Sequence, residues 1–182
     1  MDQPHPTPFA MLGLTPTFNL TPAAIERAYL TKAAAAHPDL QTNNAAPEHA
    51  DPESQSHAAD LNLARQTLIS AERRANALLD HLGGPSSSDH TDLPQGFLRD
   101  IMHTRLELEE AVQSKDADAI DRFRDWAKQQ RASYTSAVNE AFESLAEPAE
   151  PNQLADIRTT LNAWRYIERL IEQLPPRSTP TS

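Results

Sequence analysis

Residues 61–84 read LNLARQTLISAERRANALLDHLGG, and this stretch indicates the fold class. Its apolar residues recur every three or four positions, which places their side chains on one face of an α-helix. Gly83 and Gly84 follow the last of them, and glycine readily ends a helix. The stretch therefore predicts one long amphipathic helix. Its predicted buried stripe consists of Leu61, Ala64, Leu68, Ala71, Ala75, Leu78, Leu79 and Leu82.

The composition of the whole chain also favours helices. Among 182 residues there are 28 alanines but only 2 valines, 7 isoleucines and 4 glycines. Alanine is the strongest helix former, whereas β-branched residues are the ones enriched in strands. A large sheet is therefore not expected, and the length suits one modest domain or two small ones.

Charge and cysteine content exclude several classes of function. The net charge of −10 repels the phosphates of nucleic acid and of anionic lipid. The chain has no cysteine, which rules out disulfides, thiolate catalysis and cysteine-bound zinc or iron–sulfur clusters. No apolar run approaches the roughly 20 residues that span a bilayer, and the first residues, MDQPHPTPF, lack the order of a signal peptide. We expect a cytoplasmic protein without membrane or nucleic-acid partners.

Prolines and their capping residues mark where the N-terminal helices begin. Thr7–Pro8 and Thr21–Pro22 each combine a capping side chain with a favourable first helical residue. The first pair predicts a short helix that ends at Gly13, and the second predicts a helix to about Ala36. Residues 40–55 lack apolar periodicity and are expected to form a loop before the long helix.

Residues 83–90, GGPSSSDH, are typical of a flexible domain boundary because small polar side chains bury little. We expect an N-terminal domain over residues 1–84, a linker over 85–92, a C-terminal domain over 93–174 and a disordered tail over 175–182. Within the C-terminal domain the pattern predicts a bundle of three helices at about 93–114, 117–145 and 152–174, with Asp116 and Asn152 as N-caps.

The tripeptide His37-Pro38-Asp39 lies where the second helix meets the predicted loop. By itself it is typical of a helix end, since histidine suits the helix C-terminus and proline stops the helix. A short helix, a helix that ends in this tripeptide, a polar loop and a third helix together resemble the J domain of co-chaperones.

The whole chain resembles the HscB type of J protein, the co-chaperone of iron–sulfur cluster assembly. Residues 61–83 resemble the third helix of that family, and residues 96–123, GFLRDIMHTRLELEEAVQSKDADAIDRF, resemble its first bundle helix. Residues 164–170, WRYIERL, resemble its last helix. The resemblance implies an all-α fold with an N-terminal J domain and a C-terminal three-helix bundle.

The resemblance further implies an adaptor between two proteins. His37, Pro38 and Asp39 would stimulate the ATPase domain of a DnaK/HscA-type chaperone, and Arg27 and Lys32 are the basic residues of the second helix that could face it. The bundle would carry an IscU-like iron–sulfur cluster scaffold protein. This chain departs from its relatives, because alanines precede His37, Leu40 replaces the usual lysine, and Lys32 stands at a position that is normally a core leucine.

Helical geometry identifies a second candidate surface in the bundle. Phe97, Ile101, Leu108 and Val112 suffice for a core-facing seam, and they leave Leu98, Met102 and Leu106 as a separate ridge. On the last helix, Ile157, Leu161, Trp164 and Ile171 share one sector, with Tyr166 almost opposite. The ridge either packs on the long third helix or binds another protein. The family's scaffold contact matches Leu98, Met102, Glu110 and Tyr166, and Leu106 would extend its apolar part.

No other chemistry is indicated by the sequence. His5, His49, His57, His81, His90 and His103 show no spacing typical of metal ligands, so neither a metal nor a cofactor is expected. No nucleophile elbow or phosphate-binding loop is present, and the chain is not expected to be an enzyme. The alternatives to the adaptor are a J-domain protein that recruits the chaperone to a different client, and a helical interaction module with no chaperone role.

Overall fold

The computed structural model describes residues 6–36 and 52–176. All the regular secondary structure in these ranges is α-helix. This confirms the all-α prediction. The chain divides into two compact units, Met1–Gly83 and Gly84–Ser182. The helices are α1 (Pro8–Leu12), α2 (Pro22–Ala36), α3 (Pro52–Ile69), α4 (Ala71–His81), α5 (Phe97–Ser114), α6 (Ala117–Glu143) and α7 (Pro151–Ile171).

The first two helices begin as their capping residues predict. The Thr7 hydroxyl accepts a hydrogen bond from the amide of Ala10 at 3.2 Å, and the Thr21 hydroxyl accepts one from Ala24 at 3.2 Å. Gly13 ends α1 in the left-handed conformation, with φ of 68°. Helix α3 is the centre of the N-terminal unit, since α1, α2 and α4 all pack on it. The core of this unit includes Phe9, Leu12, Phe18, Ile25, Leu61, Ala64, Leu68, Ala75 and Leu79.

The single long helix predicted over residues 61–82 is wrong, because the chain breaks at Ser70 into α3 and α4. Ser70 leaves the helical conformation, with φ of −73° and ψ of 119°, and its hydroxyl accepts a hydrogen bond from the amide of Arg73 at 3.4 Å. A serine can thus cap a new helix in competition with continuing the old one. Leu82, the last residue of the predicted buried stripe, follows the end of α4 and is 39% exposed.

Arg74 connects this break to the rest of the N-terminal unit. Its Nη1 donates a hydrogen bond to the carbonyl of Leu68 at 2.6 Å, and its Nε donates to the carbonyl of Phe18 at 2.8 Å. The guanidinium also lies over the Phe18 ring, 5.0 Å from its centroid. Burial lowers the pKa of Arg74 below its ordinary value, but these two carbonyls compensate for the lost water. Arg74 therefore fastens the end of α3 to the segment between α1 and α2.

The C-terminal unit packs most extensively between α6 and α7. The ring of Tyr134 stacks on that of Trp164 with centroids 6.0 Å apart, and burial raises the pKa of Tyr134. Glu168 accepts hydrogen bonds from Trp164 Nε1 at 3.1 Å and from Arg131 Nη2 at 2.6 Å. Ile157, Leu161 and Trp164 are buried as predicted, whereas Ile171 is only half-buried and Ile167 lies in the core instead.

Several helix ends in this unit differ from the predicted ones. Helix α5 begins at Phe97 because Gly96, with φ of 81°, precedes it in a conformation that the helix cannot include. Asn152 is not the N-cap of α7, since Glu150 occupies that position and Pro151 is the first helical residue. Asp116 does cap α6, accepting a hydrogen bond from Ala119 at 2.9 Å.

The connection between α5 and α6 contains a strained residue. Lys115 caps the C-terminus of α5 with φ of 55°, in the left-handed region. A side chain with a Cβ atom adopts this conformation at a cost that glycine avoids. The tight turn from α5 into α6 therefore depends on a backbone conformation that lysine does not favour.

The segment predicted to be a flexible linker is instead held against α7. Arg158 Nε donates to the carbonyl of Pro85 at 2.8 Å, and the side-chain amide of Asn162 donates to the carbonyl of His90 at 2.9 Å. The ring of His90 also lies 3.0 Å from the hydroxyl of Thr159. Small polar residues permit flexibility, but polar groups on α7 bind their backbone here.

The helices of residues 6–36 and 52–176 include none with the length and apolar content that a membrane span requires.

Candidate functional site

His37, Pro38 and Asp39 lie outside the described residues, as does most of the predicted loop over residues 40–55. Of the residues predicted to contact a chaperone, Arg27 and Lys32 are described. Both belong to α2, and both are exposed.

Arg27 and Lys32 lie on different faces of α2. They are five positions apart, which corresponds to about 140° around a helix. The aliphatic chain of Lys32 passes over Gly13, where an added Cβ atom would lie 3.3 Å from Lys32 Cε. Arg27 lies nearer in angle to Leu30, whose side chain is 62% exposed. The exposed face of α2 around Arg27 is consequently part basic and part apolar.

A bidentate ion pair fixes α2 against α3. Arg65 Nη2 lies 2.6 Å from Glu26 Oε1, and Arg65 Nε donates to Glu26 Oε2 at 2.8 Å. The Arg65 guanidinium also lies 5.2 Å from the centroid of the Tyr29 ring. The hydrogen bonds from Arg65 hold the pKa of Glu26 below its ordinary value of 4.5. This partly exposed pair links α2 to α3 on the same side of α2 as the buried Ile25 and the Tyr29 ring.

The ridge on α5 is an exposed apolar surface. Leu98, Met102 and Leu106 follow one another at four-residue steps, and their exposed fractions are 51%, 56% and 64%. The core side of α5 is formed by Ile101, Leu108 and Ala111, which are buried. Val112 was predicted to join that core, but it is 36% exposed, and Ala111 is buried instead.

An aromatic contact brings α7 to the start of this ridge. The rings of Phe97 and Tyr166 meet edge to face with centroids 6.1 Å apart, and Tyr166 is 41% exposed. Phe97 directly precedes Leu98, so Tyr166 adjoins the N-terminal end of the ridge. The sequence assigned Phe97 to the core and therefore missed its contact with the exposed tyrosine. We define the ridge surface as Leu98, Met102, Leu106 and Tyr166.

Glu110 is set apart from most of these apolar residues. It lies one turn beyond Leu106, and it lines a groove between α5 and α6. The neighbouring glutamates contact basic residues of the same helix. Glu109 accepts a hydrogen bond from Arg105 at 2.7 Å, and Glu107 lies 3.5 Å from His103. Glu110 thus stands at the border between the ridge surface and the groove.

Residues that could bind a metal do not converge in the described part of the chain. Within residues 6–36 and 52–176, no group of three or more histidine, aspartate or glutamate side chains could hold a metal ion. The geometry instead offers two exposed helix faces, one in each unit, of the kind that contacts other proteins.

Comparisons with known proteins agree with this arrangement. The sequence model of the HSCB C-terminal oligomerisation domain matches residues 93–175. The chain is 30% identical over 167 residues to a protein of Paraburkholderia phymatum named co-chaperone protein HscB homolog, covering 89% of this chain and 94% of that protein. It is 32% identical over 123 residues to a protein of the same name from Ralstonia nicotianae, covering 66% of this chain and 68% of that one.

Solved structures share the fold. The crystal structure of human co-chaperone protein HscB matches with a TM-score of 0.73 and 22% identity, over 95% of this chain and 82% of that one. The chaperone HscB from Vibrio cholerae matches with a TM-score of 0.65 and 21% identity, over 93% of this chain and 95% of that one. Because a curated HscB homologue is 30% identical over nearly the whole length of both proteins, the chain belongs to the HscB family of co-chaperones.

Proposed function

We propose that this co-chaperone links a DnaK/HscA-type chaperone to an IscU-like iron–sulfur cluster scaffold protein. In this proposal its N-terminal unit stimulates ATP hydrolysis by the chaperone, and the ridge surface binds the scaffold. The chain itself catalyses no reaction and acts in the cytoplasm, where both partners would meet it. The observation that carries the proposal is the ridge surface, an exposed apolar face with an aromatic end in a member of this family.

The ridge surface has the properties of a binding face. Covering half-exposed leucine and methionine side chains with a partner lowers the free energy of the complex. Methionine and tyrosine are also enriched in the buried centres of protein interfaces. Glu110 at its border would supply a polar contact at the rim, where charged residues guide specificity more than affinity.

Of the residues expected to contact the chaperone, the structure describes only Arg27 and Lys32. Arg27 is exposed on α2 beside the apolar Leu30, whereas Lys32 lies over Gly13 on another face. We therefore assign the larger electrostatic contribution to Arg27. His37, Pro38 and Asp39 enter the proposal through the family resemblance alone.

ATP hydrolysis by the cognate chaperone tests both ends of the adaptor. Rates are measured with this protein alone, with the scaffold alone and with both together. We expect more stimulation from the pair than from the sum of the separate effects, because an adaptor brings the two proteins together. His37→Gln should abolish stimulation and leave scaffold binding intact, and unchanged stimulation by this variant would refute a chaperone role.

A charge substitution separates the two basic residues. Arg27→Glu is expected to raise the concentration of co-chaperone needed for half-maximal stimulation, while Lys32→Glu should raise it less. Both variants change the net charge equally, so a difference between them reports the position of the charge. Equal effects would show that overall charge, rather than the face around Arg27, governs the encounter.

A further inference from the structure

The groove between α5 and α6 is a second recessed surface of the C-terminal unit. Its volume is about 490 Å³. Six of the residues around it matter here: Glu107 and Glu110 on α5, Asp116 at the turn, and Arg122, Phe123 and Trp126 on α6. The groove therefore combines charged side chains with two large aromatic ones.

The groove and the ridge surface lie on different sides of α5 and meet at Glu110, which lines the groove one turn beyond Leu106. Glu107 is five positions beyond Met102, which places the two side chains about 140° apart around the helix. The core side of α5, with Leu108 and Ala111, faces the other helices of the unit. A partner on the ridge surface would thus leave most of the groove open to a different one, with Glu110 at the border of both surfaces.

The aromatic residues of the groove are only partly covered. Phe123 and Trp126 are half-buried, and their rings meet edge to face with centroids 6.5 Å apart. Trp164 donates its indole N–H to Glu168 at 3.1 Å. No acceptor in residues 6–36 or 52–176 lies within hydrogen-bond distance of Trp126 Nε1 in this way, so its N–H is available to a ligand.

The charges around the groove are unbalanced. Three carboxylates stand against the single guanidinium of Arg122. Only one carboxylate oxygen of Asp116 accepts the capping hydrogen bond of α6. Glu107 lies 3.5 Å from the ring of His103, which is exposed. In the described part of the chain, Glu110 has no cation within salt-bridge distance. A recess lined by one sign of charge attracts groups of the opposite sign more strongly than a flat surface does.

We propose that the groove between α5 and α6 docks a basic peptide segment that carries one large apolar residue among lysines or arginines. The apolar side chain would cover Phe123 and Trp126, and the basic side chains would approach Glu107, Glu110 and Asp116. The indole N–H of Trp126 would donate to a backbone carbonyl of the segment. A second copy of this chain, with its net charge of −10, is a poor occupant because like charges repel.

Binding of a labelled synthetic peptide, KKRLKK, to the full chain tests the proposal by fluorescence anisotropy. We expect saturable binding, with KKRGKK at least about tenfold weaker because the aromatic contact is lost. An acidic peptide, EEDLEE, should not bind. Absence of saturable binding by KKRLKK, or equal binding of KKRLKK and KKRGKK, would overturn the proposal.

Variants of α5 distinguish the groove from general attraction to an acidic protein. Glu107→Lys should weaken binding of KKRLKK by about fivefold or more. Glu109→Lys is the matched control, since it makes the same change of charge on the same helix outside the groove. Equal losses in these two variants would show non-specific attraction and refute a docking site. Leu98→Ala on the ridge surface should leave peptide binding unchanged.

Trp126 provides an internal reporter. The chain has two tryptophans, and Trp164 is 1% exposed, so a change of tryptophan emission on adding KKRLKK should come from Trp126. Trp126→Phe is expected to abolish that emission change while anisotropy still detects binding, because an aromatic ring remains. If the emission change persists in Trp126→Phe, the peptide binds elsewhere. Circular dichroism checks that each variant is folded.

Discussion

Replacement of Leu98 and Met102 by alanine should separate scaffold binding from stability. Their side chains are 51% and 56% exposed, so about half of each remains for a partner to cover. Complete burial of such a side chain contributes about 1.5–3 kcal/mol, and the remaining half about 0.8–1.5 kcal/mol. The double variant should therefore bind the scaffold about 1.5–3 kcal/mol more weakly, which is roughly 10- to 150-fold in Kd.

Isothermal titration calorimetry with the scaffold protein measures this loss, and urea unfolding measures stability alongside it. The midpoint of unfolding should change little because neither side chain is in the core. Leu63→Ala is the matched control, since Leu63 is 61% exposed on α3 in the N-terminal unit. Scaffold affinities within about twofold for the double variant, the control and the unaltered chain would contradict the assignment of the ridge surface.

Four further predictions concern stability. Arg74→Ala should lower the free energy of unfolding by about 2–5 kcal/mol in urea, because two buried carbonyls lose their donor, and the exposed neighbour Arg73→Ala should change it by less than about 0.5 kcal/mol. The lowered pKa of Glu26 means that its carboxylate stabilises the fold above pH 4.5 and ceases to do so as the pH falls through the folded pKa. In the Glu26→Gln variant, the free energy of unfolding should therefore fall less steeply as the pH is lowered below 4.5. The same slope as in the unaltered chain would exclude this contribution. The raised pKa of Tyr134 works in the opposite direction, so stability should fall as the pH rises above 10.0, and Tyr134→Phe should reduce that loss in thermal melts at alkaline pH. Lys115→Gly should stabilise the fold by about 0.5–1 kcal/mol, measured as a higher Tm, because glycine accepts a positive φ without strain.

Much of the fold could be predicted because local signals determine it. Thr7 and Asp116 cap the helices that they precede, and the apolar spacing of Leu61, Ala64 and Leu68 identifies a buried face. The break at Ser70 could not be predicted in the same way. The spacing of apolar residues continues across it, and a serine alone does not show whether a helix stops or continues. The tertiary contacts of Arg74 add the reason why two helices meet at the Ser70 cap.

The candidate surfaces were predictable to a similar degree. Helical periodicity alone singles out Leu98, Met102 and Leu106, because a bundle seam needs fewer apolar residues than α5 carries. The contact between Phe97 and Tyr166 joins residues 69 positions apart, and no local pattern records it. The groove likewise depends on how α5 and α6 pack, which brings Glu107 and Trp126 around one recess.

Arg74 also bears on how the N-terminal unit opens. A single guanidinium binds the carbonyls of Phe18 and Leu68, so separation of the α1–α2 connection and fraying of the α3 terminus both release the same group. The two regions should consequently behave as one cooperative unit in native-state hydrogen exchange, with amides that become exchangeable through a common opening. In a domain of this size, one internal cation would then synchronise fluctuations at two sites, Phe18 and Leu68, that are fifty residues apart in the chain.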